Sequence, residues 1–133
     1  MADVGVWQPD VHGVTLNAAL LVRLVRAADS IDAPTVGFSP DEVVNFAAVM
    51  RHPASDWTPL LSDQSDVTLV QLVRFFTLAE MHLAGWEALG RSPVSPIVAE
   101  LRRRKRYPHE LTAWIKAHTN NRFLPYGSLL DRL

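Results

Sequence analysis

The chain has 133 residues, of which 48% are hydrophobic and 20% are charged, and its formal net charge is −1. This composition excludes wholesale disorder, and the length is typical of one domain with its own core, so we expect a single domain over residues 1–133. The absence of cysteine excludes disulfides, thiolate metal sites and cysteine nucleophiles, and it is compatible with a cytoplasmic protein.

The first half of the chain predicts two helices separated by loops. Residues 14–28 carry apolar side chains at helical spacing, which predicts an amphipathic first helix. Ser39 and Glu42, with a proline directly after the serine, match a capping box, so a second helix is expected to begin there and to end before Pro53. We expect residues 53–66 to form a connector with at most one helical turn.

The longest apolar stretch of the sequence covers residues 67–89. Several charged side chains interrupt it, and a charge in the middle of a bilayer costs about 2.5–3.5 kcal/mol on insertion scales, so we predict no membrane span. Because its polar residues do not gather on one face, we expect a long helix over about 66–89 at the centre of the fold. Gly90 is the predicted cap at its end.

The last third predicts two more helices. Ser92 and Pro93 suit a helix start, and Tyr107-Pro108 then breaks the chain before a final helix that ends at Asn120-Asn121. The apolar tail that follows is expected to fold back onto the bundle or to dock onto a partner. Since no alternating apolar run predicts a strand, the sequence predicts an all-α bundle of about five or six helices around the long one.

The charge is divided unequally along the chain. Residues 1–91 carry 5 basic and 11 acidic side chains, whereas residues 92–133 carry 8 basic and 3 acidic ones. Such asymmetry predicts an acidic partner for the C-terminal third. The candidate contact residues are Arg102, Arg103, Arg104, Lys105, Arg106, Tyr107, Lys116 and Arg122.

Three interpretations of the basic run remain open. A chain with an acidic and a basic region can pair with itself, so we expect a protein partner, with homodimerisation as the simplest case. The second interpretation is a nucleic-acid-binding regulator whose last two helices resemble a helix-turn-helix, with Tyr107 and Trp114 available to stack on bases. The third is a solvated helix end in which Glu100 and Arg104 pair at i, i+4.

The sequence holds no signature of catalysis, because nucleophile elbows, phosphate-binding loops and zinc motifs are all absent from it. The best candidate for a polar pocket is on the long helix, where Arg74, Glu80 and His82 could serve a small ligand or a substrate. We name no catalytic residue, no metal ligand and no cofactor. The function we expect is therefore non-enzymatic binding, as an adaptor or regulatory module.

Overall fold

The computed structural model describes residues 16–29, 38–88, 91–119, 121 and 124. These parts of the chain form helices and no strand, which confirms the predicted all-α bundle. The expected fold-back of the tail after Leu124 lies outside the described residues. The elements are α1 (Ala18–Ala28), α2 (Pro40–Phe46) with a 3-10 helix (Ala47–Arg51) directly after it, α3 (Ala54–Leu61), α4 (Asp66–His82), α5 (Val94–Arg103) and α6 (His109–His118).

Side-chain caps fix where the helices of the first half begin. The Asn17 side chain accepts a hydrogen bond from the first turn of α1, and Ser65 does the same for α4. At α2, the Ser39 hydroxyl accepts the Glu42 N–H at 3.2 Å while the Glu42 carboxylate accepts the Ser39 N–H at 3.0 Å. The predicted capping box is therefore confirmed, and it satisfies two backbone donors that the helix itself leaves without acceptors.

Helix α4 is the element around which the bundle is assembled. It contacts α1, α5 and α6, and α5 in turn packs against α3. Its Phe75 and Phe76 are fully buried, and the Phe76 ring meets the Trp57 ring of α3 edge-on at 5.5 Å between centroids. The buried apolar side chains form one continuous cluster, and the aromatic residues of α3 and α4 belong to it.

The predicted end of the long helix is wrong. We expected it to reach residue 89, but α4 ends at His82 and the chain turns through Gly85, whose φ of +85° is a conformation that glycine adopts without strain. The turn buries Trp86 completely and lets its indole N–H donate to the Val43 carbonyl at 2.8 Å. The residues after α4 are thus apolar because they are buried, and not because they are helical.

Two further boundaries differ from the sequence prediction, one because of long-range packing and one beside a local hydrogen bond. Helix α3 occupies a segment that we expected to be mainly connector, since Trp57 and Leu61 bury that stretch in the core. Helix α5 begins at Val94, and Ser92 caps it from outside by accepting the Val94 N–H at 3.1 Å. Within the described ranges, no helix combines the length and the apolar character that crossing a membrane requires.

Helix α5 ends in a Schellman motif whose left-handed residue is Lys105. The Arg106 N–H donates to the Leu101 carbonyl at 2.9 Å, and the Lys105 N–H donates to the Arg102 carbonyl at 3.0 Å. Lys105 has a φ of +60°, which is unfavourable for a residue with a Cβ atom. The sequence therefore places a lysine where glycine is the usual residue.

We expect the substitution Lys105→Gly to stabilise the protein by roughly 0.5–1 kcal/mol, because it removes this backbone strain. Urea unfolding of the two proteins measures the difference. Lys105→Ala is the control, since it removes the same charge but keeps the Cβ atom, and it should leave stability nearly unchanged. A loss of stability in Lys105→Gly would contradict the assignment of strain to this residue.

Candidate binding surface

The cations of the basic run have very different surroundings. Arg104 is the most buried, with 18% of its side chain exposed. Its guanidinium donates to the backbone carbonyls of Leu61, Ser62 and Gln64 at 3.1, 3.0 and 2.7 Å. These carbonyls lie at the end of α3 and just beyond it, where helices leave acceptors unpaired. Arg104 therefore ties α5 to the end of α3.

Two cations of the run are neutralised by nearby carboxylates. Glu100, whose side chain is 6% exposed, accepts hydrogen bonds from Arg103 and Arg104, the latter at 2.7 Å, and Arg104 also pairs with Asp66 at 3.0 Å. The hydrogen bonds from Arg103 and then from Arg104 lower the pKa of Glu100 to about 2. The pairing of Glu100 with Arg104 that the sequence suggested is thus present.

The other three cations form what we call the basic corner, defined as Arg102, Lys105 and Arg106. All three side chains are exposed. The Arg102 guanidinium carbon lies 4.5 Å from the centroid of the Tyr107 ring, a cation–π distance. Arg106 approaches Asp66 only to 3.7 Å, and 70% of its side chain is exposed. The corner therefore offers positive charge to a partner.

Of the remaining predicted contact residues, the structure describes Tyr107 and Lys116. The Tyr107 hydroxyl is hydrogen-bonded to Thr112 at 2.7 Å, so the ring is fixed between Arg102 and α6. Lys116 is exposed on α6. Arg122 lies outside the described residues.

Beside the corner lies a cleft of about 430 Å³, which we call the α4 groove. Val67, at the start of α4, is 70% exposed in it. The Arg74 guanidinium lies 5.6 Å from the centroid of the Trp114 ring, and its buried Nε has no hydrogen-bond acceptor among the residues that the structure describes. The groove is lined by Asp66, Val67, Val70, Gln71, Arg74, Arg106 and Pro108.

Glu80 belongs to a separate polar cluster. Its buried carboxylate accepts hydrogen bonds from the Ser92 hydroxyl, from the Asn121 amide at 3.1 Å and from the Ala88 backbone N–H. Burial raises the pKa of Glu80, and the hydrogen bonds from Ser92 and Asn121 oppose that rise. The cluster joins the end of α4 to the start of α5 and to the residues after α6, which is a structural arrangement.

The three residues predicted to share a pocket are therefore not together. Arg74 lines the α4 groove, Glu80 lies in its own buried cluster, and His82 is exposed at the end of α4. Six residues of helix rotate a side chain by about 600°, which leaves Arg74 and Glu80 on different faces. The helical period alone could have separated them.

The exposed face of α2 was not predicted from the sequence. None of the residues of this helix is buried, and Val44 is 74% exposed. Asp41, one turn earlier, is exposed as well, whereas Glu42 is paired with Arg23 at 2.8 Å. The signal was available, because Val44 does not belong to the apolar stripe at i, i+3, i+4 and i+7 that begins at Val43.

No protein-family model matches the chain, and neither the curated proteins nor the solved structures contain a match to it. Across the described ranges, histidine, aspartate and glutamate side chains form no group of three that could hold a metal ion.

Proposed function

We propose that this chain is a non-enzymatic interaction module that associates with a second copy of itself through the basic corner. The cytoplasmic location that the cysteine-free sequence suggested is part of the proposal. The observation that carries it is the position of the two most exposed large apolar side chains of the described residues. Val67 lies beside the basic corner, and Val44 lies on α2 beside an exposed acid.

A protein partner suits the basic corner better than a nucleic acid does. Two cations of the run are paired with Glu100, and Asp66 lies within 3.7 Å of Arg106. A phosphate track would meet the Asp66 carboxylate and would find few free cations, whereas strong phosphate binding needs many. A surface that mixes exposed valine with charge is more typical of contacts between proteins.

A second copy is the partner whose charge fits the corner. Asp41 and Val44 are three residues apart on α2, so their side chains lie on the same side of that helix. The acid and the apolar group would face Arg106 and Val67 of the other molecule. Opposite charges steer the two surfaces together, and burial of the two valines adds affinity.

The test uses one variant for each surface. Arg106→Glu changes the basic corner, and Asp41→Lys changes α2. At low salt we expect the native protein to associate in size-exclusion chromatography with light scattering, and each variant alone to associate at least about tenfold more weakly. An equal mixture of the two variants should recover a 1:1 complex, because each retains the surface that the other lacks.

The matched control is Lys116→Glu, which makes the same charge change at an exposed position of α6 outside the corner. It should associate as the native protein does. A native protein that stays monomeric at low salt and high concentration would overturn the proposal, and so would unchanged association of Arg106→Glu. A shift in mass that requires added nucleic acid would favour the helix-turn-helix interpretation instead.

A further inference from the structure

The α4 groove holds a cation, Arg74, whose charge no carboxylate of the described residues balances, although its guanidinium lies 5.6 Å from the centroid of the Trp114 ring. Within the described residues Arg74 makes no ion pair and no hydrogen bond, and its Nε is buried. A buried donor without an acceptor is unfavourable, and so is a partly buried charge without a counter-ion. The other charged residues of the groove differ, because Asp66 pairs with Arg104 at 3.0 Å and Arg106, 70% exposed, lies at the solvent side of the groove, 3.7 Å from Asp66. Arg74 is therefore the partly buried cation of the groove that has no counter-ion among the described residues.

The walls of the groove are mostly apolar. Val67, Val70 and Pro108 line it together with the polar side chain of Gln71. Its volume of about 430 Å³ falls in the range of roughly 300–1,000 Å³ that is typical of small-molecule sites. A partly buried cation beside an apolar wall matches a ligand with one negative charge and a short hydrocarbon chain.

We propose that the α4 groove binds a small amphiphilic carboxylate. The carboxylate would accept hydrogen bonds from the Arg74 guanidinium, a charge-assisted contact that is stronger than a neutral one. The hydrocarbon chain would lie along Val67, Val70 and Pro108. Val67 and Arg106 line the groove and also belong to the surface proposed for self-association, so octanoate binding is measured at a protein concentration at which the chain is monomeric.

The fluorescence of Trp114 can report binding at the groove, because its ring lies beside Arg74. Octanoate is titrated into the protein, and binding is followed by tryptophan fluorescence and by calorimetry. We expect saturable binding of octanoate and at least about tenfold weaker binding of octanol, which has the same chain length without the charge. Asp41→Lys, in which self-association should be weakened, is expected to bind octanoate at least as tightly as the native protein does, because a second copy then covers Val67 and Arg106 less.

The variant that tests the cation is Arg74→Gln, which should weaken octanoate binding at least about tenfold. Arg26→Gln, which removes an exposed cation from α1, is the matched control and should bind as the native protein does. Trp114→Phe should lose the fluorescence response while calorimetry still detects binding, which would assign the signal to this ring.

Several results would overturn the proposal. They are the absence of saturable octanoate binding, equal affinity for octanol and octanoate, and unchanged affinity in Arg74→Gln. Tighter binding of a short peptide with a free C-terminal carboxylate would assign the groove to peptides instead. If Arg74→Gln does not fold, the affinities of the native chain for octanoate and for octanol still test the proposal, because equal affinities would overturn it.

Discussion

Replacing Trp86 by alanine is expected to destabilise the protein by about 3–5 kcal/mol, the usual range for deleting a large buried aromatic side chain. The indole is completely buried, and the centroid of its ring lies 5.5 Å from that of the Phe38 ring and 6.3 Å from that of the Phe75 ring. Its N–H also donates to the Val43 carbonyl of α2. The substitution would leave a cavity between α2 and α4 and would remove this hydrogen bond, and urea unfolding measures the loss of stability.

A comparison with Trp57 separates the hydrogen bond from the packing. Both indoles are fully buried, but within the described part of the chain the Trp57 N–H has no acceptor. Trp86→Phe should therefore cost about 1 kcal/mol more than Trp57→Phe, because only the former loses a hydrogen bond. Equal losses in the two phenylalanine variants would mean that the bond to Val43 contributes nothing to stability.

Trp86 also marks the limit of what the sequence could predict about the fold. The capping box at Ser39 is encoded within four residues, and the sequence predicted it correctly. The end of α4 is set by contacts that Trp86 makes with Val43 and Phe38, which are more than forty residues away in the chain. Helix periodicity contains no information about such contacts, so the predicted helix was too long.

The candidate binding surface also combines a local contact that the sequence predicted with long-range contacts that it did not predict. The pairing of Glu100 with Arg104 follows from the i, i+4 spacing and was expected. The hydrogen bonds from Arg104 to the end of α3 join residues that are about forty positions apart in the chain. They show that part of the basic run stabilises the fold. A row of cations looked like one surface in the sequence, whereas in the fold Arg104 is structural and Arg106 is exposed.

The substitution Arg104→Ala is expected to lower the midpoint of urea unfolding by roughly 1 M, a large effect for a domain of this size. It removes the donors to the carbonyls at the end of α3 and the contact with Asp66. It also leaves the buried Glu100 carboxylate with Arg103 alone. Removing one partner of a buried charge is far more costly than losing an exposed ion pair.

The dependence on pH gives this prediction a second measurement. Folding lowers the pKa of Glu100 from its ordinary 4.5 to about 2. The resulting stability is therefore fully present above pH 4.5, and it is lost as the pH falls from 4.5 towards 2. In Arg104→Ala the lowering of the pKa should be smaller, so its midpoint should fall less over this window and should approach that of the native protein in acid.

The matched variant is Arg103→Ala, because Arg103 also donates to Glu100 while 67% of its side chain is exposed. Since its hydrogen bond is the largest cause of the lowered pKa of Glu100, this variant should flatten the pH dependence at least as much as Arg104→Ala does. At pH 7 it should lose less stability, because the bonds to the end of α3 remain. Equal losses in the two variants at pH 7 would show that these bonds to α3 do not stabilise the fold.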